Sequence, residues 1–130
     1  MVNIFLSGKF ADKQSIKQKI CELESMGYKI THDWTTHELP SLTSFDGLQE
    51  AAIGDINGVK DCDVHILVMT DKEYPYRGTF AELGCSLGLG KRIMIYCPLD
   101  DHDGNFKRVP FYHHPLVEHY NDWNLLLHKL

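Results

Sequence analysis

The chain has 130 residues, 43% hydrophobic and 24% charged, which suits one globular domain with its own core and excludes a disordered or low-complexity chain. A formal charge of −5 leaves no overall basic footprint for a nucleic acid polymer, although a small nucleotide can still find local charge. No apolar run nears the roughly 20 residues of a membrane span, and no segment reads as a signal peptide.

Val2 to Leu6 is an apolar strand, followed by the turn Ser7-Gly8-Lys9. Asp12 then reads as the N-cap of a helix to about Met26, with Ile16, Ile20, Leu23 and Met26 on one face and Gly27 as its terminator. Tyr28 to His32 reads as a second strand, and β-α-β at this spacing predicts a parallel pair with a right-handed crossover. From Asp33 to Phe45 the chain is polar and irregular, a segment placed where a binding loop would be. Asp46 to Lys60 reads as a helix burying Leu48, Ala51, Ala52, Ile56 and Val59.

Val64 to Met69 is a buried-strand candidate, and Arg92 to Tyr96 is another. Between them Gly78-Thr79 opens a helix that ends on Gly90. After Tyr96 comes a polar loop, then a short strand within Phe106 to Tyr112, an edge strand Leu116 to Tyr120, and a final helix, Trp123 to Leu130, capped by Asp122. The expected architecture is a single α/β domain over residues 1–130: a doubly wound, Rossmann- or flavodoxin-like, five-stranded and mainly parallel sheet with helices on both faces. Cys21, Cys62, Cys85 and Cys97 form no CxxC pair and lie in or beside apolar segments, which predicts buried, reduced thiols and a cytoplasmic protein.

Glu82 is the residue of most chemical interest. The helix that carries it starts near the carboxyl end of a strand, where α/β sheets place their ligands. In what reads as the first helical turn, a carboxylate also complements the helix dipole, so both readings stand at this point. Asp55 is either a solvated helical acid or its partner. Ser7-Gly8-Lys9 presents N–H groups, a hydroxyl and an ammonium to an anion, and Arg77 offers a bidentate contact. Trp34 either stacks on a flat base or anchors in the core. The eight histidines show no metal-ligand spacing, so no metal site is expected.

Three features in order, Ile4-Phe5-Leu6-Ser7-Gly8, then Asp55 through Asp63, then Gly78 through Gly84 with Gly90-Lys91, resemble the nucleoside 2-deoxyribosyltransferase family and the related 2′-deoxynucleoside 5′-phosphate N-hydrolases. The resemblance covers roughly residues 2–98. It implies cleavage of an N-glycosidic bond through a covalent glycosyl-enzyme, with Glu82 as nucleophile and Asp55 as the second carboxylate, and needs no cofactor. Retaining glycosyl transfer of that kind wants two carboxyls about 5 Å apart, with separated pKa values.

The chain departs from the family pattern in two places. Relatives often carry a Tyr where this chain has Phe5. Tyr76 stands where they carry an Asp or Ser that reads the sugar's 5′ side, so Asp71 is the expected replacement contact. The substrate is therefore expected to be a nucleoside or nucleoside 5′-monophosphate, with Phe5, Ser7, Gly8, Lys9, Trp34, Asp71, Tyr76, Arg77, Gly78 and Asn105 as the contact set. The resemblance also implies a homodimer or larger homo-oligomer in which Asn105 to His114 completes a neighbour's pocket. The altered positions motivate a competing reading, a module that binds a nucleotide derivative without turning it over.

Overall fold

The computed structural model describes residues 2–37 and 43–130; part of the expected polar loop, residues 38–42, lies outside them. Five strands form one parallel sheet in the order β2-β1-β3-β4-β5: β1 (Asn3–Ser7), β2 (Lys29–Ile30), β3 (Val64–Val68), β4 (Arg92–Tyr96) and β5 (Val117–Tyr120). Four α-helices occur among the described residues: α1 (Lys13–Ser25), α2 (Phe45–Asp61), α3 (Arg77–Gly88) and α4 (Trp123–Lys129). β3 is buried at every position because neighbours flank it on both sides and helices cover both of its faces. Alternation along the strands divides the core. Ile4, Leu6, Val64, Ile66 and Met94 pack with Ile16, Ile20 and Leu23 of α1 and Leu126 of α4. Leu67, Met69, Ile93 and Ile95 pack with Leu83 of α3 and with Tyr76, Phe106 and Tyr112 on the other face.

Several expectations need correction. Asp12 ends a 3₁₀ turn (Phe10–Asp12) and makes no capping bond, whereas Asp122 does cap α4, accepting from the Asn124 N–H at 3.1 Å. The segment Phe106 to Tyr112 is no strand. It folds as two 3₁₀ turns, Asn105–Arg108 and Pro110–His113, which lay Phe106 and Tyr112 into the core; Pro110, lacking an N–H, suits a turn start better than a ladder. Cys62 and Cys97 are buried as expected, Cys85 is half-buried, and Cys21 is exposed on α1.

The correction with most consequence concerns α2. Leu48 and Ile56, expected inside, are 52% and 38% exposed, and Phe45 and Ile53 are more exposed still. The face turned inward is Gly47, Ala51, Gly54, Asp55, Gly58 and Val59, small residues at helical spacing with one acid among them. These lack the bulk to hold α2 away from the sheet, so the helix settles close. A Cβ added at Gly58 would stand 2.6 Å from the Phe5 ring and 2.9 Å from the His32 Cβ. Close approach thus decides the helix's rotation, and that rotation points Asp55 inward. An exposed helical Gly→Ala change usually stabilises by about 1 kcal/mol. Gly58→Ala should instead destabilise by about 1–3 kcal/mol through overpacking, read as a lower urea midpoint; a raised midpoint would refute this packing account.

Candidate active site

At the carboxyl ends of β1 and β3 the sheet order reverses: β1 leads to β2 on one side and β3 to β4 on the other. A crevice forms at such a point in open α/β sheets. Here it is a cavity of about 190 Å³ lined by Gly8, Phe10, Trp34, His37, Ala51, Asp55, Tyr74, Gly78, Thr79 and Glu82. The β1 turn, α2 and α3 each supply one wall, so the two acids reach it from different helices. Glu82 stands on the second turn of α3, which begins at Arg77, not on the first turn as the sequence suggested. The helix dipole acts mainly within the first turn, so it does not account for an acid here.

Ser7, wholly buried at the end of β1, places Oγ 2.6 Å from Glu82 Oε1 and 2.6 Å from His65 Nε2. Burial pushes the Glu82 carboxyl up to about 8, against the Ser7 hydrogen bond and with further upward pressure from the facing Asp55 carboxyl. Burial also raises Asp55, while His32, Glu82 and His37 pull it back. The upward push is the greater on Glu82, which favours its protonated form. His32 Nε2 and Asp55 Oδ1 are 3.6 Å apart, buried, and without hydrogen-bond partners among the protein groups described. A larger depression of about 690 Å³ lies at the carboxyl ends of β4 and β5, but its acids, Asp100 and Asp101, are exposed and screened by water.

Asp55, Glu82, Gly8, Trp34 and Gly78 therefore meet in one cavity, with Ser7 behind Glu82. Trp34 is anchored in the core, its Nε1–H donating to the Leu6 carbonyl at 2.6 Å, and it also lines the cavity. Phe5 lies beneath the site against Gly58 and His65. Lys9 and Asp71 are bound to each other at 2.6 Å, which holds the Asp71 carboxyl below its usual range. Tyr76 is fully buried at a left-handed φ of 55°, and its hydroxyl accepts the Thr70 and Asp71 N–H groups at 2.9 Å each. It shapes the loop and does not face the cavity. Arg77 and Asn105 are exposed and line neither the cavity nor the larger depression.

Sequence reasoning missed His65, Ser86, Thr79 and His37. Thr79 stands three residues before Glu82 and so shares its helical face, a signal that spacing offered. His65 also left one: a titratable side chain in the middle of a fully buried five-residue strand.

The fold and the crevice define a doubly wound α/β protein with an acid-pair site at its switch point. Residues 4–109 match the family model for nucleoside 2-deoxyribosyltransferase, and the chain belongs to that family. Membership supports an enzyme of the nucleoside 2-deoxyribosyltransferase kind, acting at a nucleoside N-glycosidic bond. The fold is shared with a 2-deoxyribosyltransferase from Bacillus psychrosaccharolyticus, with TM-score 0.70 and 21% identity over 95% of this chain and 89% of that one. It is shared also with the CMP N-glycosidase BcmB of Clostridium botulinum, with TM-score 0.65 and 20% identity over 98% and 96%. A 2-desoxiribosyltransferase from Leishmania mexicana gives TM-score 0.62 and 14% identity over 99% and 96%. No curated protein matches the sequence at a significant level.

Holding Glu82 protonated has a consequence for stability. A carboxyl whose folded pKa exceeds its unfolded value favours the fold while protonated, so its contribution is complete below the ordinary 4.5 and lost as pH rises through about 8. Glu82→Gln cannot ionise. The melting-temperature difference, variant minus wild type, should grow by several degrees between pH 4.5 and 8. A difference that does not change with pH would contradict the assignment.

Proposed function

We propose that this protein breaks the N-glycosidic bond of a nucleoside or nucleoside 5′-monophosphate through a covalent glycosyl-Glu82 intermediate, with Asp55 as its acid–base partner. The observation that carries the reading is the pair of mutually perturbing carboxyls in one cavity, on different helices. Passing a proton from Glu82 to Asp55 makes the attacking carboxylate and arms the acid together. Glu82 then forms a C–O bond to the anomeric carbon as the C–N bond breaks, and the base departs with Asp55's proton. Water, deprotonated by Asp55, next releases the sugar and restores the Glu82 carboxylate; a second base attacking in its place gives transfer.

The cavity is smaller than the ~300 Å³ at the low end of whole-ligand sites, so it suits the sugar and the breaking bond, with base and 5′ group reaching outward. Phosphate recognition by Lys9 requires opening its pair with Asp71, a contact in which the two charges already satisfy each other. The exposed Leu48 and Ile56 on α2 suit burial against a second copy of the chain, in line with the oligomer the family resemblance implies. Analytical ultracentrifugation showing only monomer would remove that part of the reading.

Base release from nucleosides and nucleoside 5′-monophosphates, followed chromatographically, tests the chemistry. Glu82→Ala should abolish it, and Asp55→Asn should lower kcat/KM by about 10²–10⁴. Because the working form carries one proton, activity should trace a bell, with an alkaline limb near 8 where the shared proton is lost. Undiminished release by Glu82→Ala would end the covalent reading. Tight nucleotide binding without any product would favour the binding module.

A further inference from the structure

Behind the cavity, buried polar groups form a line that the bond-breaking steps do not use. His65 is wholly buried on β3, and burial holds its imidazole neutral, with the pKa lowered to about 3. Its Nε2 is 2.6 Å from Ser7 Oγ, and its Nδ1 is 2.9 Å from Ser86 Oγ on α3. Ser86 is wholly buried too, with its hydroxyl 3.0 Å from the Leu83 carbonyl. At the other end the Ser7 hydroxyl donates to Glu82 Oε1 at 2.6 Å. The Phe5 ring, tilted against the imidazole at 5.5 Å between centroids, packs it in place.

A serine hydroxyl has one hydrogen to give and a neutral imidazole has one N–H, so the line runs in one direction. Ser7 commits its hydrogen to Glu82, whose own proton, when present, faces Asp55. The contact between Ser7 Oγ and Nε2 is then filled from the ring, by Nε2–H. That leaves Nδ1 bare, and the Ser86 hydroxyl is the donor that meets it. The Leu83 carbonyl, inside α3, keeps the helix's own N–H as a partner. Every hydrogen in the line points toward Glu82, and the arrangement is the same whether Glu82 is protonated or ionised. Bonds aligned in this way polarise one another, which strengthens the last of them, the bond to the carboxyl.

We propose that His65 is a positioning residue for Glu82: as a fixed Nε2–H tautomer held by Ser86, it donates to Ser7 and so keeps the Ser7 hydroxyl aimed at Oε1, leaving the other carboxylate oxygen free to attack. The catalytic meaning of this line rests on Glu82 being the nucleophile, as above. The groups facing Glu82 from the elements packed on it are Ser7 from β1 and Asp55 from α2, with His32 and His37 behind Asp55 and Tyr74 lining the same cavity. Burial and Asp55 raise the Glu82 carboxyl, while the Ser7 bond lowers it. The line therefore works against the tendency of the site to keep its nucleophile protonated.

The first measurement needs neither substrate nor variant, so its failure is distinguishable from failure of the proposed activity. Nitrogen-15 NMR of the His65 ring should show Nε2–H with a bare Nδ1, unchanged while Glu82 titrates through about 8. In Ser7→Ala the ring loses its acceptor and should switch to Nδ1–H, donating to Ser86 while Ser86 donates to the Leu83 carbonyl. Without the Ser7 bond Glu82 should ionise about one pH unit higher, read from its carbon-13 carboxyl shift, and the alkaline limb of base release should rise with it. His65→Gln places an amide N–H near the position of Nε2 and should keep the limb and kcat close to wild type. His65→Leu keeps bulk without the donor. Its kcat should fall about tenfold with KM unchanged, since His65 does not line the cavity. A wild-type Nδ1–H ring, a Glu82 titration not raised by Ser7→Ala, or equal behaviour of His65→Leu and His65→Gln would overturn the proposal.

Discussion

Two carboxyls brought into one half-buried crevice repel each other if both are charged, and the remainder of the site follows from how this protein meets that constraint. Burial takes part of the water from Glu82, so its charged form loses solvation as well as facing Asp55. Keeping one proton between the pair relieves both costs. It also separates the roles, because the acid that holds the proton at rest is the one that must surrender it to act as a nucleophile. The strain is not placed on a loop. Each acid sits on a helix packed against the central strands, so neither can swing away to relax the contact.

That placement depends on close packing at β1. Glycines 54 and 58 on α2 face His32 and Phe5 at distances that leave no room for a methyl group. A bulkier face would lift α2 off the sheet and take Asp55 with it. The same approach turns Leu48 and Ile56 outward, so bringing the acid inside leaves apolar surface exposed on the opposite side. On α3 the comparable device is Tyr76, held in a left-handed conformation that L residues other than glycine seldom adopt. Its hydroxyl takes two backbone N–H groups, which fixes the chain as it enters the helix that bears Glu82.

Much of the fold was legible in the sequence. Short apolar runs at Val64 and Arg92, helical spacing at Ile16, Ile20 and Leu23, and the turn at Gly27 predict a parallel α/β sheet, because period and length separate strands from helices locally. Glu82 and Asp55 were legible as a pair only through the ordered resemblance to a family, since no local rule says which of 18 acidic residues will meet. The segment after Tyr96 was misread where Phe106 and Tyr112 have strand-like composition, because Pro110 and the pull of the core on those two rings decided in favour of 3₁₀ turns.

The sequence by itself determined the elements, their order and the residue types available for chemistry, all set by neighbours along the chain. Only the tertiary structure decided which face of α2 turns inward, because that is a contest between burying Leu48 and Ile56 and letting small residues approach β1. It alone brought Ser7, His65, Ser86 and Glu82, from three separate elements, into one hydrogen-bonded line. Such a line is a matter of distances across the sheet and between layers, and no spacing along the chain encodes it.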